Sequence, residues 1–225
     1  MFQGFPEAFI PYLVALEANN NKAFFEENRG LYERVLRDPL YALAEALAPQ
    51  VLRIDPAIDA RPSRAVSRVN RDVRFSKDKS PYRTYQWIGF KRAGESRSES
   101  CGFYFDMSVT GANFGCGFYH MQPQYMQNLR EKIANHPGHV EGIVSETRFA
   151  ARFELKGERY QRKFAPPEEL PPVLGQLYTH KNVYAEHAIP DLSLLFSPKL
   201  ADVIAEGFEA LIPFYTLLSD CMIPA

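Results

Sequence analysis

Six cations and four rings crowd the run RVNRDVRFSKDKSPYRTYQW, between Arg68 and Trp87. Guanidinium and ammonium groups bind oxyanions, and flat rings stack on planar ligands. A nucleotide, a sugar phosphate or an aromatic acid requires that combination. Counted from Arg61 to Arg83, eight basic residues face only Asp72 and Asp78, in a chain whose formal net charge is −1. Charge this asymmetric creates a local positive potential that draws anions even to a nearly neutral protein. The candidate ligand-binding residues are therefore Arg68, Arg71, Asp72, Arg74, Ser76, Lys77, Lys79, Tyr82 and Arg83. The competing reading is a solvated segment whose arginines pair with carboxylates elsewhere, such as Asp106 or Glu99, at little gain in stability.

Spacing sharpens the first reading. Residues alternate from Ala65 to Phe75, with Ala65, Val69, Val73 and Phe75 on one strand face and Arg68, Asn70, Asp72 and Arg74 on the other. Arg71 then falls on the apolar side, where a guanidinium must be paired or must line a cavity. Asp106 and Asp72 are its expected partners. The SKDKS run before Pro81 predicts a tight turn whose N–H groups and lysines converge on one oxyanion. His120 joins the set because it ends a strand just before a helix expected from Pro123, a position where anions bind and general acids work.

Other chemistry is poorly supported. Ser76 and Lys79 have Ser-x-x-Lys spacing, but that geometry needs the first turn of a helix and its companion motifs are missing. No P-loop, GxGxxG or GxSxG occurs. The five histidines form no metal-binding pattern, and His136 and His139 flank a Pro-Gly turn. Cys116 shares a strand face with Phe114 and Phe118 and reads as a small buried hydrophobe. Gly115 and Gly117 beside it suggest close packing. No cofactor is specified by any motif, and whether a reaction is catalysed stays open.

The elements that must position these residues follow from periodicity. Helices are expected around Pro11–Leu16, after a cap at Asn21, after a second cap at Asp38, from Pro123, and along a long C-terminal stretch from Pro198. Strands are expected over 65–75, 85–91 and 101–110, the last entering a hairpin that turns at Thr110–Asn113, with a further strand over 150–156. Strands in the middle and helices at both ends predict an α+β fold with a mostly antiparallel sheet. At 225 residues the chain suits one domain, with a helical part over 5–53, a sheet core over 62–121 and a mixed, helical part over 123–222. Near-neutral charge argues against duplex DNA. The absence of an 18-residue apolar run argues against a membrane span. An odd, sparse set of three cysteines without a signal peptide points to the cytoplasm.

The FP start, NNNKAFFEENR, RVNRDVRFSKDKSPYRT and the later GERYQRKF together resemble an uncharacterised family, domain of unknown function 2461. Its hallmark is similar to R-x-x-RD-x-RFS-x-DK-x-PYK. The matching positions are Arg68, Arg71, Asp72, Arg74, Phe75, Ser76, Asp78, Lys79, Pro81, Tyr82 and Arg83, the last keeping the charge of the family's lysine. The resemblance implies a shared fold and no established activity.

The expected function is binding of a small anion, a phosphate or a carboxylate, with or without catalysis. The alternatives are a single-stranded nucleic-acid module, using Arg68, Arg74, Lys77 and Lys79 with Tyr82, Tyr85 or Trp87, and a domain that docks an acidic protein. A closed concavity lined by Arg71 and His120 would favour the first.

Overall fold

The computed structural model describes residues 1–96, 99–161 and 164–222. Helix α1 (Phe9–Ala18) carries Pro11 in its first turn, where no N–H partner is lost, and buries Phe9, Tyr12, Leu13 and Leu16. Asn21 caps α2 (Lys22–Glu27) as expected, its side chain accepting from the Phe24 N–H at 3.0 Å. The expected cap at Asp38 does not form. After α3 (Arg29–Tyr32) the chain widens into a π turn over Glu33–Arg37 and continues directly into α4 (Asp38–Ile54). Pro39 has no N–H to offer. The wider turn, closed by the Asp38 N–H on the Glu33 carbonyl, carries the helix past it, and Asp38 pairs instead with Arg37 at 2.9 Å. A single helical turn, α5, follows at Pro62–Ala65.

Five strands form one antiparallel sheet: β1 (Gln86–Lys91), β2 (Cys101–Met107), β3 (Ala112–Phe118), β4 (Glu154–Lys156) and β5 (Tyr184–Ala188), in the order β1-β2-β3-β5-β4. The β2–β3 turn is Ser108–Gly111, two residues earlier than expected. The Ser108 N–H donates to the Gly111 carbonyl at 2.8 Å and its hydroxyl accepts from the Thr110 N–H, which ends β2 early. Strands β4 and β5 pair Glu154 with Glu186, Leu155 with Ala185 and Lys156 with Tyr184. Gly117 has φ +148°, and a Cβ there would collide with the backbone of Tyr184. The glycine thus permits the close packing read from the sequence.

Helix α6 (Pro123–Asn135) begins at the expected proline, and α7 (Pro137–Val144), α8 (Thr147–Ala150) and α9 (Pro172–Tyr178) follow. The long C-terminal helix is two: α10 (Lys199–Ala210) and α11 (Ile212–Asp220), interrupted at Leu211 because Pro213 cannot donate to residue 209. The fold is α+β.

The chain forms two compact units. Unit 1 comprises Met1–Phe90, Tyr104–Phe114 and Ala188–Glu206; unit 2 comprises Lys91–Phe103, Gly115–His187 and Gly207–Ala225. In unit 1, Phe5 stacks on Phe105 at 6.4 Å and Phe9 meets Phe196, over a floor of Leu13, Leu16, Leu36, Leu40, Leu43 and Leu47, each fully buried. In unit 2, Phe103 lies between Phe208 and Tyr215, and Phe149 packs on Phe214. Cys101, Cys116 and Cys221 are free and buried. Burial, with Cys101 adjacent, raises the Cys116 thiol pKa well above the usual value, in keeping with an inert core residue. Among the described residues, no helix is long and apolar enough to cross a membrane.

Candidate functional site

The basic segment does not form the strand expected over 65–75. Two isolated antiparallel bridges, Val66 to Ile88 and Asn70 to Tyr82, hold it as an open hairpin-like excursion. Beyond Asn70, side chains outcompete the ladder for backbone donors: Asp72 accepts from the Arg74 N–H at 3.2 Å and Asp78 from the Ser80 N–H at 2.9 Å. Phe75, assigned to an apolar face by alternation, is 93% exposed. No helix begins at Ser76, so Ser76 and Lys79 lack the helical turn that the acylating-serine geometry needs.

The structure places most of these cations against the protein itself. Arg71 is partly buried and pairs with Asp78, a correction to the expected Asp106 or Asp72. Asp72 is engaged bidentately by Arg74, whose hydrogen bonds lower its carboxyl pKa to about 2, and Asp106 accepts from Asn113. Hydrogen bonds from Ser80, and then from Arg71, hold Asp78 well below the carboxylate range. Lys79 donates to the Val73 carbonyl at 2.9 Å. Arg83 donates to the carbonyls of Arg68, at 2.7 Å, and Asn70, and lies 4.9 Å over the Trp87 ring. Tyr82 is buried, its face covered by Phe25 at 4.1 Å. Ser76 is half-buried, its N–H 3.4 Å from the Val73 carbonyl. Of the segment's described cations, Arg68 and Lys77 alone have side chains without a hydrogen-bond or ion-pair partner among the described residues. His120 belongs to unit 2 and is exposed, its ring set edge-on to Tyr119.

Unit 2 holds a cavity of about 300 Å³, lined by Met121, Pro123, Gln124, Met126, Gln127, Arg130, Tyr160, Phe164 and Lys181. Among the described residues, two cations and no carboxylate line it. Arg130 lies on α6 in register with the core residues Met126, Leu129 and Ile133, so the helix carries its guanidinium inward, where it is 3% exposed. There it finds no acid among the described residues. Nε donates to the Tyr178 carbonyl at 2.9 Å and Nη2 to the His180 carbonyl at 2.6 Å, groups at and just beyond the carbonyl-rich end of α9. The Phe164 ring covers the guanidinium at 3.7 Å. Nη1 has no acceptor among the described residues. Arg130 is also a lining residue of the cavity. Burial lowers the pKa of Arg130, though an arginine stays charged.

Tyr160 and Phe164 of the GERYQRKF segment line the cavity as well. Gly157 has φ +142°, and any Cβ would strike the Asn182 carbonyl, so only glycine lets the chain approach this closely. The Glu158 N–H donates to Asn182 Oδ1 at 2.8 Å, the Lys181 N–H to the Glu158 carbonyl at 2.7 Å and the Tyr160 N–H to the Thr179 carbonyl at 2.9 Å. These bonds fix Tyr160 and Lys181 beside each other, the ammonium 5.4 Å from the ring centre and 3.3 Å from the Glu158 carboxylate. Behind them His180 is buried and held neutral to lower pH than usual, chiefly by burial. Its Nδ1 donates to the Gln176 carbonyl at 2.9 Å, which leaves Nε2 to accept from Arg159 at 3.4 Å. Arg162 and Lys163 of the same segment lie outside the described residues. Among the described residues, no group of three or more His, Cys, Asp or Glu side chains is placed to hold a metal ion.

The four side chains that define this cavity, Arg130, Tyr160, Phe164 and Lys181, were not among the candidates read from the sequence. One signal was available: an arginine in the i, i+3, i+4 series of an apolar helix face.

Residues 8–217 match the profile of the family described as conserved hypothetical protein DUF2461. The chain belongs to this family. Both the central basic motif and GERYQRKF fall inside the matched span, so family membership covers the open hairpin of unit 1 and the cavity wall of unit 2 alike. No curated protein matches the chain.

Proposed function

We propose that this family member binds a small organic anion, a carboxylate or a phosphate ester, in the unit 2 cavity, with Arg130 and Lys181 as its charge partners. One observation carries the reading: a buried arginine that lines a cavity and has no carboxylate partner among the described residues. Stripping water from a guanidinium costs several kcal/mol, and backbone carbonyls offset only part of that. An anion at Nη1 completes the pairing. The amino end of α6, where Gln122 supplies no side-chain cap and Pro123 and Gln124 line the cavity, adds favourable potential. Met121, Met126 and Phe164 give the ligand's body an apolar bed, and the volume is at the small end of metabolite sites.

The test is a thermal-shift and calorimetric screen of organic carboxylates and phosphate monoesters at constant ionic strength. A hit at about 100 times its Kd adds about 2.7 kcal/mol of stability. Lys181→Ala, at a half-exposed site that leaves the fold intact, should weaken that hit at least about tenfold. Equal binding by this variant, or no hit in either class, overturns the reading.

A further inference from the structure

We infer that the Arg83–Trp87–Tyr85 face of unit 1 is a stacking platform for single-stranded nucleic acid, a site independent of the unit 2 cavity. Residues 83, 85 and 87 alternate onto one face of the chain entering and forming β1. Their contacts agree: Arg83 lies 4.9 Å over Trp87, and the Tyr85 and Trp87 rings stack at 5.6 Å with 21° between planes. Trp87 is thus held in place from both neighbours, while Tyr85 remains 51% exposed and has ring surface to offer.

The cations divide in the way such a site needs. Arg71, Arg74, Lys79 and Arg83 are spent on Asp78, Asp72 and backbone carbonyls, which fixes the shape of the excursion. Arg68 and Lys77 are exposed and uncommitted among the described residues. Arg68 stands beside the platform, since its own carbonyl accepts from Arg83. A ring with a free face supplies stacking, which every base accepts. The uncommitted Arg68 beside it supplies a phosphate contact, and the exposed Lys77 adds to the positive potential of the segment. Single strands combine both features, whereas a duplex hides its base faces and an acidic polypeptide has none.

Trp87 is the only tryptophan in the chain, so its emission reports this surface alone. The experiment titrates the full-length protein with a thymidylate decamer, a duplex of equal length, heparin and poly-glutamate. The expected result is quenching of Trp87 by the decamer, with affinity falling as salt rises and exceeding that for the duplex. Tyr85→Ala should weaken the decamer at least about fivefold through lost stacking. Arg68→Ala should weaken it and flatten the salt dependence, and its exposed side chain keeps the fold intact. Failure of the decamer to bind at low salt overturns the inference. So does equal binding of duplex, heparin or poly-glutamate that ignores Tyr85→Ala, since the patch would then be a plain cationic surface.

Discussion

Asn20 and Tyr82, 62 residues apart, exchange two hydrogen bonds: the Asn20 amide donates to the Tyr82 carbonyl at 2.9 Å, and its Oδ1 accepts from the Tyr82 N–H at 3.0 Å. One asparagine side chain thereby satisfies both backbone groups of the residue that anchors the basic excursion, where no ladder partner reaches. Removing it leaves a part-buried donor and acceptor unpaired. Asn20→Ala should cost about 1–3 kcal/mol in urea unfolding, and Asn20→Asp, which keeps the acceptor but not the donor, less than that. Equal stability of Asn20→Ala and wild type would show that water replaces the amide at no cost.

Gly157→Ala should cost at least about 1–3 kcal/mol, because its φ of +142° is unfavourable for any residue with a Cβ and the Asn182 carbonyl occupies the space. Gly138→Ala, early in α7 with open space around the added carbon, is the matched control and should be neutral or stabilising by up to about 1 kcal/mol. A thermal melt of the two variants in parallel separates the effects.

His180 predicts a pH dependence. In the unfolded chain the imidazole takes up a proton near 6.5, while burial holds it neutral to lower pH in the fold. Between the two values the unfolded chain binds more protons, so this contribution is intact above 6.5 and is lost as pH falls towards the folded value. The loss is at most about 1.4 kcal/mol for each pH unit. Denaturation midpoints at pH 7.5 and 5.5 should differ more for the wild type than for His180→Gln.

Legibility tracked the range of the interactions involved. Asn21, Pro123 and the alternation of β1 and β2 announce themselves locally, because a cap, a proline and a period of two act within a few residues. The run from Ala65 to Phe75 has the same alternation and is not a strand, since Asp72 and Asp78 offer the backbone closer partners than a ladder. Strand β5 was invisible: YAEHA is short and polar, and it is held by pairing with β3 and β4. The cavity was hidden for a related reason. Arg130 was visible on the apolar face of its helix, but whether a carboxylate waits there is decided by distant residues, among them Phe164, Tyr178 and His180. GERYQRKF carried the family resemblance without declaring that Gly157 lets it wrap against Asn182.

The interleaving of the two units governs how the chain can be made and cut. Unit 1 ends with Ala188–Glu206 and unit 2 begins only at Lys91, so neither is a continuous fragment and no single truncation isolates one of them free of segments of the other. During translation, 187 residues emerge before unit 1 can recruit its last segment, a wait on the order of ten seconds at ordinary ribosome speeds. Until then Phe9 lacks the Phe196 ring and the Phe5 N–H lacks the Leu195 carbonyl, contacts that only the late segment supplies.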